Sequence, residues 1–442
     1  MGLFDKIFGK NIEFEPQPNI QFGRYTDSYK STEQYDAWDV SLLKFEEKEY
    51  LQSFERFLFY LNDKKEGNVT WSLEDDTIDF QIYQGSKRIT GFANNHEFKA
   101  VAKVAKTNGL NIGFMRRLVE SNFKLKYSKF ALDKDNDIVI VFSSYSLDSS
   151  PYKLYFALKE VATHADKQDD LLLDEFESLK ALDHQHLIDL SIEEKEIKYA
   201  FIQQKIEDTL NEIENGRLSS DKYPGAIAYL LLDLCYRLDF LISPEGYMTD
   251  LLERLHRKYF GHDGQPTAQK NLAMQKEFMN LQLRSKKDYF KEMYRVKATF
   301  GITSPVNLDK IVSFVEGELG NMDWYHENNH EKIALAIPGY IIGYCLFNYA
   351  VPKPILDLFI LYFHITEPEY FEKLGFTYKY WTDNEKLDSK AIKEAFDRIE
   401  HQNKELYTEF SINSSRINFT SLPLFAKTFL NQFRFFDLTK RD

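Results

Sequence analysis

FEEKEYLQSFERFLFYLN, residues 45–62, sets Leu51, Phe54, Leu58 and Leu61 three and four positions apart with Glu and Lys between them. That spacing predicts an amphipathic helix. From Asn68 the period changes to two. NVTWSLED, TIDFQIYQ from Thr77 and RITGFANN from Arg88 alternate, and Asp75-Asp76 and Gly85-Ser86-Lys87 supply turns, so three short antiparallel strands are expected in a meander. HEFKAVAKVAK, residues 96–106, reads as a return to helical spacing that stops at Asn108-Gly109, and GFMRRLVESN, residues 113–122, as a second short helix. FKLKYSKFALD and IVIVFSSYS flank the acidic run DKDND, residues 133–137, which predicts a β-hairpin with a polar turn. From about Ser150, with Pro151 in the first turn, YKLYFALKEVATHADKQDDLLLDEF predicts a long helix. The order α-βββ-αα-ββ-α makes this half an α+β unit, an antiparallel sheet with helices on it.

After about residue 180 the period of two fades and an all-α region is expected. IEEKEIKYAFIQQKIEDTLNEIENG, residues 192–216, is a helix stopped by Gly216, and Ser243-Pro244 separates two further helical stretches on either side. Residues 266–301 read as a long polar helix or a pair, and SPVNLDKIVSFVEGELG as another helix with Pro305 in its first turn. Residues 331–363 are the most apolar and should form the core of this half. The organisation expected is an extended lead-in over 1–34, where Pro16 and Pro18 break any period, an α+β domain over 35–180 and a helical domain over 181–442.

A net charge of −13 over 442 residues argues against nucleic acid or an anionic membrane as the dominant partner. Cys235 and Cys345 lie far apart and show no metal-type spacing, which fits a reducing compartment, the cytoplasm by default. The 37 Phe and 27 Tyr fill cores or mark binding faces. MGLFDKIFGK is too short and too interrupted by charge for a secretory segment and lacks Ser or Thr at its sixth position; it reads as a small amphipathic patch. IALAIPGYIIGYCLFNYAVP, residues 333–352, is uncharged and long enough to span a bilayer. Pro338, two glycines, Asn348 and three tyrosines weaken that reading in favour of a buried helix. A membrane-associated component using 333–363 is the alternative.

FEEKEYLQSFERFLFYL, the meander ending near QGSKRITGF, MRRLVESNFKLKYSKFALDKDNDIVIVF and the long final helix together resemble the YbjN-like family, which shares its fold with class I type III secretion chaperones. In that family a helix ends in Asn, a strand follows, and an acidic turn leads to an apolar strand. Here these are Asn122, Phe123 to Leu132, and Asp133 to Phe142. The resemblance covers about Tyr35 to Leu179, roughly a third of the chain, and contains no catalytic signature. It implies a non-enzymatic binding domain, often dimeric, that holds protein segments on a sheet face and helix surface. The expected function is therefore a protein-binding chaperone, adaptor or regulator without a cofactor, capturing its partner around Trp71, Phe80, Ile82 and Tyr83.

The competing chemistry is HENNH, residues 326–330, which spells the zinc-peptidase motif H-E-x-x-H and would make a hydrolase of His326, Glu327 and His330. Two histidines four apart reach one Zn²⁺ only from a continuous helix, with a third ligand such as His364, Glu367 or Glu369. Asn328 and Asn329 are poor helix formers, and the better reading places one of them near an N-cap with Glu331 in the first turn of the next helix. DKDND imitates the start of an EF-hand loop, but Ile138 stands where Gly is needed and Ser144 where Glu is needed. His184 with His186, and His256 with His262, lack Cys partners and the spacing of a closed metal site. QGSKR, residues 84–88, is a strand turn without phosphate-loop spacing, and the acidic run at 165–177 reads as a solvated face.

Overall fold

The computed structural model describes residues 16–441 apart from 108, 110, 177 and 181–186. The amphipathic patch expected at the N-terminus and the pair His184 and His186 lie outside the described residues. An α+β half built on one antiparallel sheet precedes an all-α half.

The first half opens with two helices where one was expected. Helix α1 (Thr32–Glu46) begins in a capping box, Ser31 accepting from the Gln34 N–H while the Gln34 side chain returns to the Ser31 backbone. Lys48, at φ 65°, breaks the chain before α2 (Tyr50–Leu61). The two helices meet at Ser41 and Ser53, whose hydroxyls each donate to the other's carbonyl at 2.8 Å.

Four strands follow, β1 (Val69–Glu74), β2 (Thr77–Gln84), β3 (Lys87–Ala93) and β4 (Glu97–Thr107). The last corrects the helix expected at 96–106. Lys interleaved with Ala and Val gives a spacing that a helix also tolerates, but β4 pairs on both edges and the ladder overrides local preference. Helix α3 (Ile112–Asn122) then leads to the hairpin of β5 (Lys129–Leu132) and β6 (Ile138–Tyr145). The spatial order is β1-β2-β3-β4-β6-β5, with β7 (Leu179–Lys180) pairing with the end of β4 and every pair antiparallel, so the element order is αα-ββββ-α-ββ-α-β.

Helix α4 (Pro151–Glu175) is capped by the Ser150 hydroxyl on the Lys153 N–H, and with α2 it covers one face of the sheet. Phe54, Phe80, Phe98 and Phe142 pack between them with edge-on or tilted rings, each at most 2% exposed. The opposite face, with Thr70, Ser72, Asp79, Arg88 and Thr90, is open.

The second half runs α5 (Ile192–Asn215), α6 (Pro224–Ile242), α7 (Gly246–Phe260), α8 (Thr267–Leu283), α9 (Lys286–Lys291), α10 (Leu308–Leu319), α11 (Met322–Glu327), α12 (Glu331–Asn348), α13 (Lys353–Thr366), α14 (Pro368–Lys373), α15 (Ser389–Asn403) and α16 (Leu422–Leu430). Its axis is the pair α6 and α12, with fifteen of nineteen and thirteen of eighteen residues buried. The uncharged stretch 333–352 is thus core. A Cβ on Gly339 would sit 2.1 Å from the Asp233 Oδ1, so this position must be glycine for the helices to approach. Among the described residues no helix is long and apolar enough to cross a membrane.

Two segments join the halves. Residues 16–30 run as a strap over the helical half: the Gly23 N–H donates to the Phe240 carbonyl at 2.8 Å, and Phe22 packs on Phe240, Phe371 and Phe376. The helical reading of 266–301 fails after Lys291, where the chain turns extended through β9 (Tyr294–Arg295) and β10 (Ser304–Pro305). Pro305 therefore lies in a strand, and α10 starts later, capped by Asn307. This extended segment enters the first half: the Gln84 side chain accepts from the Thr299 and Phe300 N–H groups, and Phe300 is 1% exposed within the α+β core.

Candidate functional site

A cleft of about 1070 Å³ opens where the strap, the β2–β3 turn, α4 and the helical half converge. Its floor follows from the segment just described. Residues 294–298 run extended, β9 pairing with β8 (Ile188–Asp189) and Lys297 bridging to Gly85. Extended backbone sends alternate side chains to one side. Tyr294, Val296 and Ala298, and beyond a bend Phe300 and Ile302, line the cleft, and Arg295 between them reaches it too.

The walls are charged. From the strap, the Arg24 guanidinium donates to both Asp239 carboxylate oxygens, at 2.6 and 3.0 Å, and to Glu253 at 3.1 Å. Burial works against that charge, but Asp239 and Glu253 outweigh it and its pKa is raised. Lys167 of α4 reaches Glu253 at 2.7 Å, a bond that ties the halves across the cleft. Burial opposes ionisation of Glu253, yet Arg24, Lys167 and Arg257 hold its carboxyl below the usual range. On the other side Lys198 donates to the Ile242 carbonyl at 3.1 Å and pairs with Glu194 at 3.2 Å, with burial lowering its pKa despite that partner. Leu283 and Ile302 stand at the rim, 85% and 54% exposed.

The β2–β3 turn, expected only to reverse the chain, is built into this site. Gly85 takes φ +54°, its N–H donates to the Lys297 carbonyl at 3.0 Å, and the next N–H, of Ser86, donates to Asp166 at 2.7 Å. A Cβ at Gly85 would collide with the Asp166 carboxylate at 1.9 Å.

The residues expected to take a partner are placed differently. Phe80 and Ile82 point into the helix-covered core at 2% and 0% exposure, so neither presents a surface in the folded chain. Trp71, opposite Phe80 on β1, is half-buried on the same side, and Tyr83 is half-buried with its carbonyl accepting from Thr299. Apolar alternation marked that face as important; burial makes it structural.

HENNH does not form a helical pair. His326 lies in the last turn of α11, Asn329 takes φ 60°, and His330 is the N-cap of α12, its ring stacked on Trp324. Glu331 is in the first turn, as expected, but the cap is His330 rather than an Asn. Of the suggested third ligands, Glu367 pairs with Arg237 and Lys205, and His364 stacks on Phe371 at 4.3 Å. Among the described residues no group of three His, Cys, Asp or Glu side chains could hold a metal ion. His256 accepts from or donates to the Tyr236 hydroxyl at 2.8 Å inside an aromatic cluster.

DKDND is the hairpin turn: Asp133 accepts from the Asp135 and Asp137 N–H groups and pairs with Lys103 at 2.9 Å. Cys235 and Cys345 are buried and unpaired as a disulfide, and burial pushes both thiols far up. Of the acidic run at 165–177, Asp166 and Lys167 face the cleft, and most of its other side chains lie outside the description.

A scan against protein-family models finds no match for this chain, and a search of curated proteins finds none either.

Proposed function

We propose that this chain is a non-catalytic protein-binding module, a chaperone, adaptor or regulator, that holds an extended segment of a partner protein in the cleft between its halves. The observation that carries the reading is the floor: the half-buried Tyr294 and Val296 and the exposed Ile302 lie over the buried Ala298 and Phe300, between walls of paired charges. An extended peptide presents side chains with a period of two, so apolar residues can seat on the floor while its charged ones meet the walls. The size of the cleft is at the upper end for small-molecule pockets, which favours a chain segment. The resemblance of the first half to segment-holding chaperones agrees in kind but places the partner on a sheet face, whereas this reading moves it to the junction.

The test is selection of short peptides from a random display library on the purified chain. Selected peptides should lose about tenfold or more in affinity for Ile302→Arg and for Leu283→Arg, both rim positions whose exposure lets the fold tolerate charge. A library that yields no binder, or binders indifferent to both substitutions, would sink the reading.

A further inference from the structure

Helix α3 is apolar on two opposite faces. Phe114 and Leu118 are buried, at 0% and 5% exposure, and Phe114 meets Phe176 edge-on at 6.2 Å. Such a helix should be polar on its outer side. Instead Ile112, Val119 and Phe123, which fall within about 40° of one another around the axis at 3.6 residues per turn, are 88%, 57% and 90% exposed. Phe123 is the C-cap and keeps helical backbone angles, so it extends the stripe. The stripe is also firmly held. The Asn122 side chain exchanges hydrogen bonds with the Phe130 backbone, and Glu160 accepts from the N–H groups of Lys126, Tyr127 and Ser128 in the turn that follows.

The charge of this surface is opposite in sign to that of the chain as a whole. In a chain of net −13, residues 111–131 carry five basic side chains and one acidic, Glu120. Arg116, 81% exposed along its side chain, flanks the stripe and pairs with Glu120, while Lys124, Lys126 and Lys129 are exposed beyond its end.

We propose that α3 and the turn after it form a docking surface for an anionic lipid bilayer. Ile112, Val119 and Phe123 would enter the interface between headgroups and acyl chains, with the lysines lying at headgroup phosphates and their stems along the apolar boundary. A deformable anionic surface accommodates an exposed apolar stripe fringed with cations, which complement its charge. The overall negative charge does not forbid this, because screening confines each field to about 8 Å at physiological salt. This surface is independent of the cleft.

Co-sedimentation of the full chain with phosphatidylcholine vesicles, with and without phosphatidylglycerol, tests it. Pelleting is expected only with the anionic vesicles and should weaken as salt rises. Phe123→Ser should cut the apparent affinity about tenfold or more, and Lys124→Ala about fivefold, while Leu406→Ser, at an exposed apolar site elsewhere, leaves it unchanged. All three positions are exposed, so unchanged melting curves would confirm intact folds. The proposal fails if the wild-type chain stays in the supernatant with anionic vesicles, pellets equally with neutral ones, or binds no less after Phe123→Ser. It also fails if sedimentation velocity shows a dimer that Phe123→Ser dissociates, since a second copy then covers the stripe.

Discussion

The two halves bury their apolar residues by opposite rules. In the sheet of the first half, burial alternates along the strand: Ile78, Phe80 and Ile82 are inside, while Asp79 is exposed and Gln81 half-exposed. In the second half α6 and α12 are enclosed on nearly all sides, and even Arg237 and Asp239 lie inside. One-sided burial leaves polar groups in water. All-round burial forces each of them to find a partner, and the partners become the weak points of that half.

The largest effect should come from such a partner. Arg237 is bound to Asp233 at 2.8 Å and to Glu367, which Lys205 also contacts at 2.6 Å. Burial opposes the charge of Arg237, and the two carboxylates more than restore it. Arg237→Met leaves the largely buried Asp233 without its ion-pair partner and Glu367 with Lys205 alone, and should cost about 3 kcal/mol by chemical denaturation. A loss below about 1 kcal/mol would mean the helical half tolerates unpaired charge as a one-sided sheet does.

Phe300 sharpens the comparison at the seam. Supplied by the second half and buried in the first, it packs edge-on to Tyr155 at 5.7 Å. Phe300→Ala should cost about 3 kcal/mol, and calorimetry should show the α+β half melting ahead of the helical half. A single undivided transition would argue that strap and ion pairs alone couple the two.

Acid should weaken chiefly the helical half. Burial among Phe371, Phe376 and Tyr380 pushes the His364 pKa from 6.5 down to about 4. Between those values the unfolded chain binds a proton that the folded one refuses. The stability due to neutral His364 is whole above pH 6.5 and drains as pH falls toward 4. His364→Phe should flatten roughly 3 kcal/mol of that decline, at a loss of about 1 kcal/mol at neutral pH from the missing hydrogen bond to the Tyr378 backbone. Denaturation midpoints across this range decide it.

Legibility divides along the same line. Strands β1 to β3, the hairpin of β5 and β6, and α4 announced themselves because their periods and turn residues are local in the chain. β4 did not, since Lys and Ala at its alternate positions satisfy two periods and pairing with distant β6 decided between them. The cleft was illegible as a site. Its residues come from stretches as far apart as Arg24, Gly85, Lys167, Glu253 and Ile302, and no motif joins them. One signal was present: Tyr294, Val296, Ala298, Phe300 and Ile302 alternate with Arg295, Lys297, Thr299 and Gly301, a period of two inside a stretch that otherwise looks helical. HENNH shows the reverse, a specific spelling that the left-handed Asn329 and the break before α12 reduce to a helix junction.

The central claim is that the junction, not the sheet, holds the partner segment. Leu73 at the sheet edge and Ile302 at the cleft rim are equally exposed, at 54%. A photo-crosslinking residue at each position, irradiated with a selected peptide, tests the claim most directly. Adducts from position 302 and none from position 73 are the predicted result; adducts from position 73 alone, or from neither, would contradict it.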